Sequence, residues 1–116
     1  MRILRDHLGR QIRLTDERLR HALAHPEMRG MESGLAETLA RPEIVVRSRS
    51  DPEVRLYYKT FAQTPVSEKH LCVVVKDPEN PTRSDTPDSM AAFVITGYLT
   101  DAIKKGEILW RPPEEQ

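Results

Sequence analysis

The chain has one cysteine, no long apolar run and no net charge, and each shortage excludes something. A single thiol, Cys72, cannot close an internal disulfide, so the expected setting is reducing and cytoplasmic. Cys72 itself reads as a small core residue. Apolar stretches such as Leu-Cys-Val-Val-Val at 71–75 fall far short of the roughly 20 residues of a membrane helix. Residues 1–7 lack the apolar segment and small-residue cleavage site of a secretory signal. No membrane partner is expected. The 116 residues suit a single domain, with 1–8 and 112–116 expected to fray.

Neutrality conceals an uneven charge pattern. Eighteen basic residues balance eighteen acidic ones. Residues 1–30 carry seven arginines against four acids, and 41–76 carry seven basic side chains against four acids. Residues 77–91 reverse the balance, with Asp77, Glu79, Asp85 and Asp88 against Arg83. A basic face beside an acidic loop is compatible with an anionic partner despite the zero total.

The pattern changes along the chain. Residues 9–14 alternate and read as a short edge strand. Thr15 or Asp16 then offers an N-cap, acids follow in the first turn, and Pro26 stops a helix near His25. A second short helix is expected over 35–39, ended by Arg41 and Pro42. From there the period is two: 43–49, 53–61, 70–76 and 91–100 read as strands rich in Val, Ile, Tyr and Thr, with a possible last strand at 104–110. Residues 62–69 read as a long hairpin loop and 77–90 as the longest connection. Helices first and strands afterwards imply an α+β domain, an antiparallel sheet with helices on one face and the other face open.

Two groups of side chains carry candidate chemistry. Arg18, His21 and His25 fall at i, i+3 and i+7, one stripe of a helix, with Leu19, Ala22 and Leu23 on a neighbouring stripe. Strand alternation with Val54, Leu56 and Tyr58 inward would turn Arg55, Tyr57 and Lys59 outward, joined by Arg47, Lys76, Thr96 and Tyr98. Such a platform offers guanidinium and ammonium groups for phosphate, tyrosines for unpaired bases and hydroxyls for hydrogen bonding. With a histidine at its rim it holds the parts for RNA cleavage without a cofactor: a base for the 2′-hydroxyl, cations for the phosphorane and an acid for the leaving 5′-oxygen. Gly97, between Thr96 and Tyr98, suggests a close backbone approach on the core side.

The ordered set Gly-Arg-x-Ile-Arg-Leu-Thr-x-Glu-Arg from Gly9, His21-x3-His25-Pro-Glu, Leu-Tyr-Tyr, Val-Val-Val-Lys76 and Thr96-Gly-Tyr98 through Lys-Lys-Gly-Glu-x-Leu-Trp110 resembles phage-type members of the barnase, EndoU, colicin E5/D and RelE-like nuclease superfamily. The likeness runs from about Gly9 to Trp110. It implies two or three N-terminal helices packed on a four-stranded, or slightly larger, antiparallel sheet. The implied activity is metal-independent endoribonuclease action of a toxin-like kind, with RNA as substrate and a cognate antitoxin as partner. By position it implies His25 and His21, Lys59, Tyr98 and Thr96 as catalytic candidates, with Arg47, Arg55, Tyr57 and Lys76 holding substrate.

Two other readings stand beside this one. A non-catalytic module on the same fold would bind RNA or protein through the same residues. A zinc protein would use the i, i+4 histidines with Glu27 or His70, although the acid inside the motif of zinc proteases is missing. Lys76 beside Asp77 also fits a strand-end lysine that guards an edge, and Trp110 reads as core.

Overall fold

The computed structural model describes residues 1–78 and 91–113. Among these, the strands are β1 (Arg2–Arg5), β2 (Gln11–Leu14), β3 (Ile44–Arg47), β4 (Val54–Thr64), β5 (Ser67–Lys76), β6 (Phe93–Thr100) and β7 (Glu107–Trp110). The helices are α1 (Asp16–Leu23) and α2 (Glu32–Ala40), with a 3₁₀ turn at Pro26–Met28 between them. One sheet results, ordered β1-β2-β6-β5-β4-β3-β7. Its neighbours are antiparallel except β2 and β6, which run parallel.

This architecture overturns the expected four-stranded antiparallel sheet carrying two or three helices. The sheet is mixed and seven-stranded, with strand forming 45% of the described residues and helix 20%. The extra strands come from the chain ends. Residues 2–5, expected to fray, pair with β2 from Arg2↔Leu14 to Arg5↔Gln11. What closes this hairpin is the Asp6 side chain, whose Oδ1 accepts from the amides of Leu8 at 3.0 Å and Arg10 at 2.9 Å. Gly9, at φ +79°, supplies the left-handed step of the turn. After β2 the chain crosses through both helices and all of β3 to β5 before β6 docks beside it, where the Arg13 amide donates to the Ala92 carbonyl at 2.9 Å. At the far side β7 pairs with β3.

Local expectations fare unevenly. Thr15 caps α1 by accepting from the Arg18 amide at 3.2 Å, with Asp16 and Glu17 in the first turn. The helix ends at Leu23, and Pro26 opens the 3₁₀ turn. The long loop expected over 62–69 is instead strand up to a tight turn: β4 and β5 reach Thr64 and Ser67. Most of the expected 77–90 loop and the end of the 112–116 tail lie outside the described residues.

The apolar residues form two layers. One, under the helices, joins Ile12, Leu14, Met28, Leu35, Leu39, Val45, Tyr57, Leu71, Val73 and Val75. The other, on the opposite face, joins Ile44, Val46, Val54, Leu56, Tyr58 and Cys72. That second face was expected to be open, yet the segment before β7 folds over part of it. The Lys104 amide donates to the Tyr58 hydroxyl at 3.1 Å. Gly106 lies so close that a Cβ there would collide with the Arg47 carbonyl oxygen and come within 2.7 Å of Val46 Cγ1. Glycine at 106 therefore permits the covering. Among the described residues no helix is long and apolar enough to cross a membrane.

A candidate anion-binding cleft

Sheet register decides which of the sequence candidates meet. Cross-strand partners share a face. Arg47 opposes Arg55, Tyr57 opposes Val45, and Lys59 opposes Leu71, all on the helix side. Lys76 opposes Val54, Thr96 opposes Val74, and Tyr98 opposes Cys72, all on the other side. The expected platform of seven residues is therefore split by the sheet. The alternation misassigned β4 because Val54, Arg55, Leu56, Tyr57 and Tyr58 are all buried, so its pattern names no outward face.

The remaining candidates are also dispersed. His21 and His25 are exposed, their rings 6.3 Å apart, on a helix and turn that contact β6. Thr96 and Tyr98 belong to that same strand but face away from the helices. Lys59 Nζ donates to the Arg41 carbonyl at 3.2 Å. Lys76 Nζ is held by Asp51 at 2.5 Å and Glu53 at 3.3 Å. Tyr98 sits against Cys72 and Tyr58; burial and the thiol raise its pKa, so it stays protonated. Among the described residues no three His, Cys, Asp or Glu side chains are grouped to hold a metal ion.

Three of the candidates, Arg47, Arg55 and Tyr57, do converge. Arg47 and Arg55 line, with His7, Arg10, Asp77 and Trp110, a cleft of about 450 Å³ between the β1–β2 turn and the β3, β4 and β7 strands, and the buried Tyr57 and Asp6 stand behind its wall, hydrogen-bonded to Arg55 and Arg10. The turn supplies Asp6, a carboxylate enclosed by protein. Its Oδ2 accepts from the Tyr57 hydroxyl at 2.8 Å and from Arg10 Nε at 2.8 Å. Tyr57 Oη in turn accepts from Arg55 Nε at 3.0 Å, and Arg55 Nη1 donates to Asp77 Oδ2 at 2.7 Å. At the rim Arg47 donates from Nε to Glu107 at 2.8 Å and from Nη1 to the Pro52 carbonyl at 2.9 Å. Each guanidinium is thus fixed in direction by a carboxylate, an arrangement that orders it for a second anion.

Two polar groups at this site are buried without a partner. Arg55 is only 7% exposed along its side chain, and its Nη2 makes no hydrogen bond. His7 is 3% exposed; its Nδ1 lies 3.8 Å from Asp6 Oδ2, beyond hydrogen-bonding distance, and neither ring nitrogen is satisfied. The imidazole instead packs on Trp110, with centroids 4.4 Å apart, and edge-on to Tyr57 at 5.9 Å. Unsatisfied buried groups are costly; of those among the described residues, Arg13 Nε and Thr38 Oγ1 lie elsewhere, while His7 and Arg55 both belong to the residues of this cleft.

The electrostatics follow from this geometry. Burial pushes the His7 pKa below its ordinary 6.5, with the Asp6 carboxylate opposing and Arg10 and Arg55 adding to the depression, so the ring is neutral at pH 7. Burial disfavours the Asp6 anion, but Arg10 and the Tyr57 hydroxyl outweigh it and hold the carboxyl below 3.8. Tyr57 is pushed up to about 12, chiefly by burial, and donates rather than ionises. For Arg55 the desolvation is overcome by Tyr57 and Asp77, and the guanidinium remains charged.

Asp6, His7, Arg10 and Trp110 were not among the sequence candidates. The signal for the first three was the Asp6-x-x-Gly9 spacing between the apolar pairs Ile3-Leu4 and Ile12-x-Leu14, a hairpin turn signature. Comparison with protein-family models, with characterised proteins and with solved structures finds no match for this chain.

Proposed function

We propose that the protein is an endoribonuclease, acting in a reducing cytoplasm, on a mixed seven-stranded sheet unlike the one its sequence resemblance implies, and that the cleft, rather than the histidine pair, is where RNA is cut. The observation that carries this reading is the convergence of Arg10, Arg47 and Arg55 with a neutral imidazole on one cleft. Guanidiniums in fixed orientation suit a phosphodiester and the extra charge of its five-coordinate transition state. A neutral His7, once a shift of the β1–β2 turn uncovers one of its enclosed ring nitrogens, takes the proton of a 2′-hydroxyl. The 2′-oxygen then bonds to phosphorus, the bond to the 5′-oxygen breaks, and the proton held by His7 passes to that oxygen. A 2′,3′-cyclic phosphate and a 5′-hydroxyl result. A cognate antitoxin would protect the cell by covering the cleft.

The test is incubation of the purified protein with single-stranded RNA in EDTA and analysis of the ends formed. Cyclic phosphate ends are expected; intact RNA after long incubation contradicts the proposal. A second reading, binding of RNA or protein without cleavage, is favoured by the enclosure of both His7 nitrogens. It predicts retention of RNA with no new ends.

A further inference from the structure

The cleft also contains the chain's only tryptophan, a residue that phosphate binding does not require. Trp110 closes one wall beside Leu109 and Val45, packed at a tilt against His7 with centroids 4.4 Å apart, and only partly buried. Across the same cavity lies Arg55, with an unpartnered Nη2 and a side chain 7% exposed. An apolar aromatic wall facing a buried cation defines a ligand that is flat and apolar at one end and anionic at the other. The volume of about 450 Å³ falls within the range of roughly 300–1,000 Å³ common for small-molecule pockets.

We infer that the cleft is a nucleotide-sized site, taking a nucleoside monophosphate unit with its phosphate against Arg47, backed by Arg55, and its base against the Trp110 indole. This rests on the cleft being the phosphate-holding site proposed above, and it adds a recognition element to it. The phosphate meets the guanidinium of Arg47, whose side chain is 33% exposed at the rim, while the enclosed Arg55 contributes its charge from within the wall. Two carboxylates also line the cavity, and neither is unopposed: Asp77 is held by Arg55 at 2.7 Å and Glu53 by Lys76 at 3.3 Å. Stacking on an aromatic face depends little on base identity, so the site accepts purines and pyrimidines with a modest preference for the larger ring.

Because Trp110 is the sole tryptophan, its fluorescence reports on the cleft. The experiment titrates the intact protein with adenosine monophosphate and, separately, with inorganic phosphate, following indole emission and melting temperature. The nucleotide is expected to change the emission and to raise the melting temperature more than phosphate does at equal concentration. Arg47→Met should weaken nucleotide binding about tenfold. Trp110→Leu, which removes the aromatic face and keeps an apolar side chain, read by melting temperature, should bring the nucleotide down to the level of phosphate. Equal stabilisation by both ligands with unchanged emission overturns the inference, as does binding of neither. RNA cleavage scored in parallel keeps the two proposals apart. Cleavage without nucleotide binding removes this inference and leaves the ribonuclease reading, whereas nucleotide binding without cleavage does the reverse.

Discussion

At Asp6 one carboxylate closes a turn through two amides and anchors both Arg10 and the Tyr57 hydroxyl. Removing it leaves the Arg10 guanidinium, the buried Tyr57 phenol and two turn amides without their acceptor. Asp6→Ala should therefore cost about 3–5 kcal/mol, read as a lowered urea midpoint. Tyr57→Phe, which strips one donor from Asp6 and one acceptor from Arg55, should cost roughly 1–3 kcal/mol. His7 makes stability depend on pH. Its folded pKa lies below 6.5, so just below that value the unfolded chain binds more protons, and stability falls as pH drops from about 7 toward 5. Asp6 does not confuse this window: its depressed pKa keeps its contribution intact until pH falls below 3.8. His7→Gln should flatten the dependence, and an unchanged slope in thermal melts between pH 7 and 5 contradicts the neutral, buried assignment.

The elements show what was legible in the sequence and what was not. In β5 the inward set Leu71, Val73 and Val75 is as the alternation indicates, because its other face is mixed. In β4 the opposite set was chosen, since five consecutive buried residues carry no period and both faces of the sheet are apolar. The N-terminal strand is not legible because its apolar residues, Ile3 and Leu4, are adjacent rather than alternating and it is mostly exposed. The parallel pairing of β2 with β6 joins segments about 80 residues apart, and nothing local encodes it. The cleft inherited these gaps: Arg47, Arg55 and Tyr57 were visible as cations and an aromatic, while the turn that completes the site lay in a segment read as loose. Gly97 was legible. Its missing Cβ makes room for Leu35, whose Cδ2 would lie 2.6 Å from a methyl there. Gly97→Ala should destabilise by roughly 1–3 kcal/mol as α2 is pushed from the sheet. A melting temperature equal to that of the wild type would show that α2 packs elsewhere.

For the molecule as a whole, zero net charge provides no net basic field, so under the proposed function RNA would be held only where the three guanidiniums of the cleft exchange their carboxylate partners for phosphate. Each phosphate neutralised on a single strand contributes a slope of about −0.7 in log K against log salt. Two or three such contacts predict a slope between about −1.4 and −2.1 on the same basis, measurable by fluorescence anisotropy of a labelled oligoribonucleotide. A slope near zero would indicate that the arginines stay with Glu107, Asp6 and Asp77 and never meet phosphate.

The central claim is that the cleft, not the exposed histidine pair, is where RNA is cut. The most direct measurement compares cleavage rates of one single-stranded RNA in EDTA by wild type, Arg47→Met and His25→Ala, each confirmed as folded by its melting transition. Both side chains are solvent-accessible enough for the variants to fold. Loss of one donor to the transition-state charge costs on the order of 10²-fold, so the account predicts a drop of that size for Arg47→Met and an unchanged rate for His25→Ala. An unchanged rate for Arg47→Met together with a collapse for His25→Ala would contradict it and move the reaction to the α1 end of the sheet.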